Sequence, residues 1–201
     1  MGANGRSVPA APGTGVGASA LRAPSFARDA ALVLAGSLAV AVAAQVAIPF
    51  PGSPVPVTAQ TFGLLVVGIG LGARRGALAL ALYLLEGAAG LPVFAGGASG
   101  PAVFVGPTAG YLLAFPLAAL VAGALASPRS SWLRVALASL ASHAVVFAFG
   151  LAWLARFVGA GNVVATGLVP FLPGEALKIV ATVLVFRGWT LAPRRSSTTH
   201  S

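Results

Sequence analysis

The stretch "VPFLPGEALKIVATVLVF", residues 169 to 186, sets Glu175 and Lys178 at the head of an apolar run. The chain has only three acidic residues, and Lys178 is its sole lysine. Their i, i+3 spacing puts them on one side of a helix, and Pro173 and Gly174 mark its start. A carboxylate near a helix N-terminus is favoured by the helix dipole. Two readings fit the pair. One is a structural ion pair at a membrane interface, with the lysine stem snorkelling along apolar surface. The other is a polar contact to a ligand at the outer end of a cavity, because ionisable groups inside a membrane are costly and face a bundle interior.

The other chemically capable residues are few. Glu86, in "ALYLLEGAAGLPVF", can pair with Lys178 or Arg156, line a cavity, reach the interface or carry protons. "SPVPVTAQTF" offers Thr58 as a helix N-cap, followed by Gln60 and Thr61. "VGPTAGYLLAF" has Pro107 placed for a first turn, then Thr108 and, three residues on, Tyr111. Polar or aromatic residues thus open three separate helices under Gly/Pro-rich loops. That convergence suits a small, mostly apolar pocket with a few directed polar groups. His143 follows Ser142 inside an apolar run and reads as a packed polar residue. No cysteine is present, so disulfides and thiol chemistry are excluded. No phosphate-binding P-loop, G-x-S-x-G or H-E-x-x-H motif occurs. No metal or cofactor is expected.

The elements that must position these residues are apolar helices. Hydrophobic residues make up 58% of the 201 residues and charged ones 7%, with mean hydropathy +0.95. A soluble domain carries about 25% charge, so the solvent for this chain is lipid. The net charge of +9 does not indicate nucleic acid, because the arginines are scattered among apolar runs and form no basic face.

Six runs read as helices, at about 28–48, 58–72, 75–90, 108–126, 132–157 and 169–189. The expected organisation is a disordered tail over 1–25, an all-α membrane domain of six transmembrane helices over 26–190, and a short cytoplasmic tail over 191–201. The second and third runs are short for a hydrocarbon core of about 30 Å, so a broken hairpin that does not fully span competes with two separate spans. Arg6, Arg22, Arg28, Arg74, Arg75, Arg129, Arg134, Arg187, Arg194 and Arg195 fall on one side of a six-helix model. That side should be cytoplasmic, with both termini. Trp132, Trp153 and Trp189 lie near helix ends, as interfacial anchors do. The opposite side holds the connections 49–57, 91–107 and 158–168, which either fold over a site or simply connect. In the first run Ala31, Ala35, Ala39 and Ala43 form an every-fourth-residue stripe. It serves either internal packing or close approach by a partner helix.

Four segments, "VPVTAQTFGLL", "YLLEGAAGLPVFAGG", "VGPTAGYLLAF" and "PFLPGEALK", resemble successive signatures of the BioY family. These are the biotin-binding S components of energy-coupling factor (ECF) transporters. The resemblance runs in order from about residue 30 to 190. It implies an S-component-like six-helix bundle in the cell membrane, multi-pass. The pocket would lie near the outer face, capped by the loop after the first helix and the loop between the third and fourth. It also implies partners, a transmembrane coupling protein and a pair of ATP-binding-cassette ATPases, with the alanine stripe as docking surface. The family's P-G-D-x-x-K reads here Pro173, Gly174, Glu175, Ala176, Leu177, Lys178, with a carboxylate one methylene longer. Its G-P-T-G-G-Y reads with Ala109 for the first glycine of the pair.

On this resemblance, Glu175 and Lys178 would grip the ureido head of biotin by charge-assisted hydrogen bonds. Tyr111 and Phe94 would line the apolar part, with Gln60 and Thr58 as further polar contacts. Biotin would be transported and not altered, so the chain is expected not to be an enzyme. Two alternatives from other classes centre on Glu86: a multipass membrane enzyme using Glu86 and His143 as acid and base, and an ion-coupled small-molecule exporter.

Overall fold

The computed structural model describes residues 25–191. Apart from Ser25 and Leu191, which belong to helices, the two tails lie outside the described residues, together with Arg6, Arg22, Arg194, Arg195 and the side chain of Trp189. Seven α-helices and one two-residue hairpin are described.

Helix α1 (Ser25–Ala44) ends four residues before the sequence reading places its end. Pro49 disfavours helical backbone at the residue before it, and Ile48 is instead extended. Ala47–Ile48 forms β1, paired antiparallel with β2 (Val57–Thr58) in the register Ala47↔Thr58 and Ile48↔Val57. This hairpin folds the 49–56 connection back over the start of the next helix.

Helices α2 (Gln60–Leu71) and α3 (Ala73–Ala88) are joined through Gly72 alone, whose φ of 82° is a left-handed value that glycine adopts without strain. At about 1.5 Å per residue α2 is about 18 Å long and α3 about 24 Å, each less than a hydrocarbon core of about 30 Å. Helix α4 (Ala109–Leu125) packs between this pair and α5 (Trp132–Val158). The approach is close: a Cβ at Gly123 of α4 would stand 2.6 Å from the Gly72 carbonyl carbon. A five-residue helix, α6 (Val163–Gly167), lies within the connection expected to be irregular. Helix α7 (Leu172–Leu191) then packs on α5 and α2. Of these helices, α1 and α5 are long and apolar enough to cross a membrane by themselves, and α2 and α4 are shorter apolar helices.

One ion pair and a capping contact lie at one end of the bundle. Arg75 at the start of α3 pairs with Asp29 at the start of α1 at 2.7 Å. Arg134 donates to the Leu125 carbonyl at the end of α4 at 2.6 Å. The β-hairpin and the loop over residues 91–107 gather at the opposite end, over the first turns of α2, α4 and α7. Ala31, Ala35 and Ala39 are exposed on α1, while Ala43 is half-buried against Gly63 of α2. Trp132 is exposed. Trp153 instead packs inward, its indole donating to the Gly106 carbonyl at 2.9 Å and the Arg156 guanidinium stacked over its ring.

Candidate ligand-binding site

A cavity of about 270 Å³ opens beneath these loops. Its size is near the lower end of the range for small-molecule pockets, roughly 300–1,000 Å³, which suits a compact ligand. Three helix beginnings, the middle of α5 and two loops supply its wall, and the wall is largely apolar. Val55 and Pro56 come from the hairpin. Phe94, Ala95 and Val103 come from the long loop, Tyr111 and Phe115 from α4, and Phe147 and Phe171 from α5 and the approach to α7. The polar groups on it are Thr58, Gln60, Thr61, Thr108, Tyr111 and Glu175. Glu175 is therefore the only ionisable carboxylate on the wall.

Local sequence explains how each group is held. Helix α2 starts at Gln60, so Ala59 occupies the N-cap position expected for Thr58. The Thr58 hydroxyl still accepts from the Gln60 backbone N–H at 3.3 Å and donates to its side-chain oxygen at 2.9 Å. The turn thereby aims Gln60 inward. Tyr111 donates to the Gly167 carbonyl at 2.9 Å, and its ring occupies space that a Cβ at Gly150 would fill. Phe94 lies in the space a side chain at Gly87 would take and meets Tyr83 and Phe104 edge-to-face, at centroid distances of 5.3 and 5.7 Å. Such edge-to-face contacts fix ring orientation beyond what area burial alone provides. Ala109, in the place of the family's glycine, is fully buried, and the close approach to Trp153 is made at Gly110.

Glu175 is 6% exposed and has partners from three helices. Lys178 donates to its Oε1 at 2.7 Å. The Thr61 hydroxyl lies 3.2 and 2.9 Å from its two oxygens and also accepts from Lys178 Nζ at 3.0 Å. His143 of α5 places Nε2 against Oε2. That contact lies off the direction of an aligned hydrogen bond. The other ring nitrogen, Nδ1, is 2.8 Å from the Ser139 carbonyl; a carbonyl only accepts, so Nδ1 carries a proton.

Five of the six ligand-contact candidates, Glu175, Tyr111, Phe94, Gln60 and Thr58, meet on this one cavity. The sixth, Lys178, is not on the wall and stands behind Glu175. His143, read from sequence as a packing residue, stands there too. Nothing in the sequence ties it to Glu175 beyond its being a polar residue in an apolar helix. Glu86 is elsewhere: its Oε1 accepts from Ser37 of α1 at 2.9 Å, and it does not line the cavity. His143 is engaged with Glu175, so the acid and base of the enzyme alternative are not brought together.

Comparison with known proteins now bears on the assignment. The BioY family model matches residues 15–194. A probable biotin transporter BioY from Pyrococcus horikoshii is 36% identical over 159 residues, covering 79% of this chain and 94% of that protein. The biotin transporter BioY of Rhizobium etli is 38% identical over 157 residues, covering 71% and 84%. The chain belongs to the BioY family. Its fold is also that of a crystal structure of the S component for biotin from an ECF-type ABC transporter. That likeness has a TM-score of 0.75 at 22% identity, covering 87% of this chain and 96% of that one. Membership makes this a membrane protein of a transport family and gives the cavity its context. The Glu86-centred alternatives lose their ground.

Proposed function

We propose that this protein captures biotin in the cavity beneath the hairpin and the 91–107 loop, as the substrate-binding subunit of an ECF-type transporter in the cell membrane. The observation that carries this reading is Glu175: a single carboxylate on an otherwise apolar and neutral-polar wall, in a chain of the BioY family. The ureido head of biotin has two N–H donors and one carbonyl. Glu175 accepts from the N–H groups, and Thr61 or Gln60 serves the carbonyl. Lys178 and His143 hold the carboxylate in place from behind, and the Lys178 ammonium compensates its charge. The aromatic wall of Phe94, Tyr111, Phe147 and Phe171 encloses the apolar ring and chain.

The chain binds and releases biotin without altering it. Partner subunits, a transmembrane coupling protein and ATP-binding-cassette ATPases, drive the change of access, with exposed Ala31, Ala35 and Ala39 as the docking stripe and Ala43 at its edge. Six membrane passes with both termini cytoplasmic fit the clustering of arginines at the Asp29–Arg75 end. The short α2–α3 pair then crosses as a hairpin within the bundle. The test is binding of radiolabelled biotin to detergent-purified protein, with desthiobiotin and thiamine as competitors. Tight binding displaced by desthiobiotin and not by thiamine is expected. No binding by folded, monodisperse protein would refute the biotin reading.

A further inference from the structure

Tyr83 of α3 is fully buried and does not line the cavity, yet its hydroxyl joins two parts that do. Gln60 Nε2 approaches it at 2.5 Å, and it donates to the Val93 carbonyl, in the loop beside Phe94, at 3.2 Å. The chemistry of the far end sets the direction of the whole chain. A carbonyl can only accept, so the Tyr83 proton points to Val93. The phenol oxygen must then accept from Gln60, which fixes the amide with its nitrogen toward Tyr83 and its oxygen toward the Thr58 hydroxyl. One N–H of Gln60 is left for the cavity. Gln45, one residue past α1, adds only 3.5 Å contacts to the Val93 and Phe94 carbonyls, so the Tyr83 bond is the shorter side-chain tie to this part of the loop.

We propose that Tyr83 is a positioning residue that ties the polarity of Gln60 to closure of the loop carrying Phe94. With the loop in place, Gln60 presents a donor to a ligand carbonyl. When Val93 moves away, the Tyr83 proton is free to turn and the amide to reverse. The loop that encloses the ligand thereby also sets the wall's hydrogen-bonding face. This inference rests on the biotin reading for its ligand.

The experiment is a double-mutant cycle on biotin binding, with Tyr83→Phe, Gln60→Leu and the double variant. Tyr83→Phe removes one oxygen and keeps the ring on Phe94. It should weaken biotin about tenfold, or about 1.4 kcal/mol, chiefly through faster release. In the Gln60→Leu background the same change should cost less than twofold, because residues acting through one another are not additive. Independent, additive losses overturn the inference, and so does an unaltered release rate in Tyr83→Phe. Gln60→Glu gives a second line should Tyr83→Phe not fold. A carboxylate in place of the amide turns the Tyr83 proton away from Val93, and biotin release should quicken at least tenfold; unchanged release overturns the proposal. Wild-type protein that binds no biotin refutes the functional reading and this inference with it. Wild-type protein that binds while the cycle is additive refutes this inference alone.

Discussion

Lys178→Met separates a residue that supports the site from one that touches ligand. Lys178 is behind the wall, 2.7 Å from Glu175 Oε1 and 3.0 Å from Thr61, and Met fills a similar volume without the charge. Truncating one partner of a buried, hydrogen-bonded charge pair costs about 2–5 kcal/mol in binding, or about 30- to several-thousand-fold at about 1.4 kcal/mol per decade. Thr61 and His143 stay on the carboxylate, so Lys178→Met should fall near the low end, about 30- to 100-fold. Glu175→Gln removes the ligand acceptor itself and should lie higher, above about 300-fold. Equilibrium binding of radiolabelled biotin reads both variants, with size-exclusion chromatography reporting that each remains monodisperse. Affinities within tenfold of wild type for both variants would refute the reasoning, because a buried carboxylate that loses its charge or its counter-charge without effect is not part of the binding site.

The remaining predictions use neighbouring groups. His143→Leu should weaken biotin about tenfold in the same assay by removing a contact from a buried carboxylate; unchanged affinity would mean that Thr61 and Lys178 alone hold it. Glu175→Asp withdraws the carboxylate by one methylene from a position shared by Thr61, Lys178 and His143, so binding should fall several-fold; unchanged affinity would mean that the α7 backbone takes up the difference. Gly87→Ala forces a methyl group into the Phe94 ring and should displace the loop, raising the biotin release rate more than tenfold. Glu86→Gln should change biotin affinity less than threefold, since Glu86 meets Ser37 outside the cavity; loss of binding would return Glu86 to the centre of the question.

What was legible in the sequence follows from how each feature is encoded. The Glu175–Lys178 pair stood out because charge is scarce, and its i, i+3 spacing is a local property that any helix preserves. Tyr111 and Phe94 were found through motifs, and Gly150, Gly167 and Gly87, which clear space for those rings, carry no signal that a sequence reading can distinguish from ordinary small residues. His143 and Tyr83 were missed for one reason: their partners are tertiary. Tyr83 meets Gln60 across 23 positions, and His143 meets Glu175 across helices α5 and α7. The sequence reading carries α1 too far because Val46, Ala47 and Ile48 resume its apolar character after Gln45; the prolines that follow turn the chain into β1. Helix α6 was missed because five residues in a Gly- and Asn-containing connection are too few to show a period.

The placement of charge behind the wall has a physical rationale. An isolated carboxylate in an apolar cavity is expensive, and one without compensation would not remain ionised. Placing the ammonium on the wall as well would occupy the cavity with a second ion and give a neutral ligand head two competing salt-bridged partners. With Lys178 on the far side, the counter-charge reaches the carboxylate through Oε1, while the cavity keeps a single charged acceptor. The arrangement requires three helices, since α2 supplies Thr61, α5 supplies His143 and α7 supplies the pair. A motion that separates α7 from α2 or α5 therefore removes Thr61 or His143 from the carboxylate, while Lys178 moves with it. On the proposed biotin reading, such a displacement of α7 weakens the hold of Glu175 on the ureido head and needs no change of protonation at the ligand.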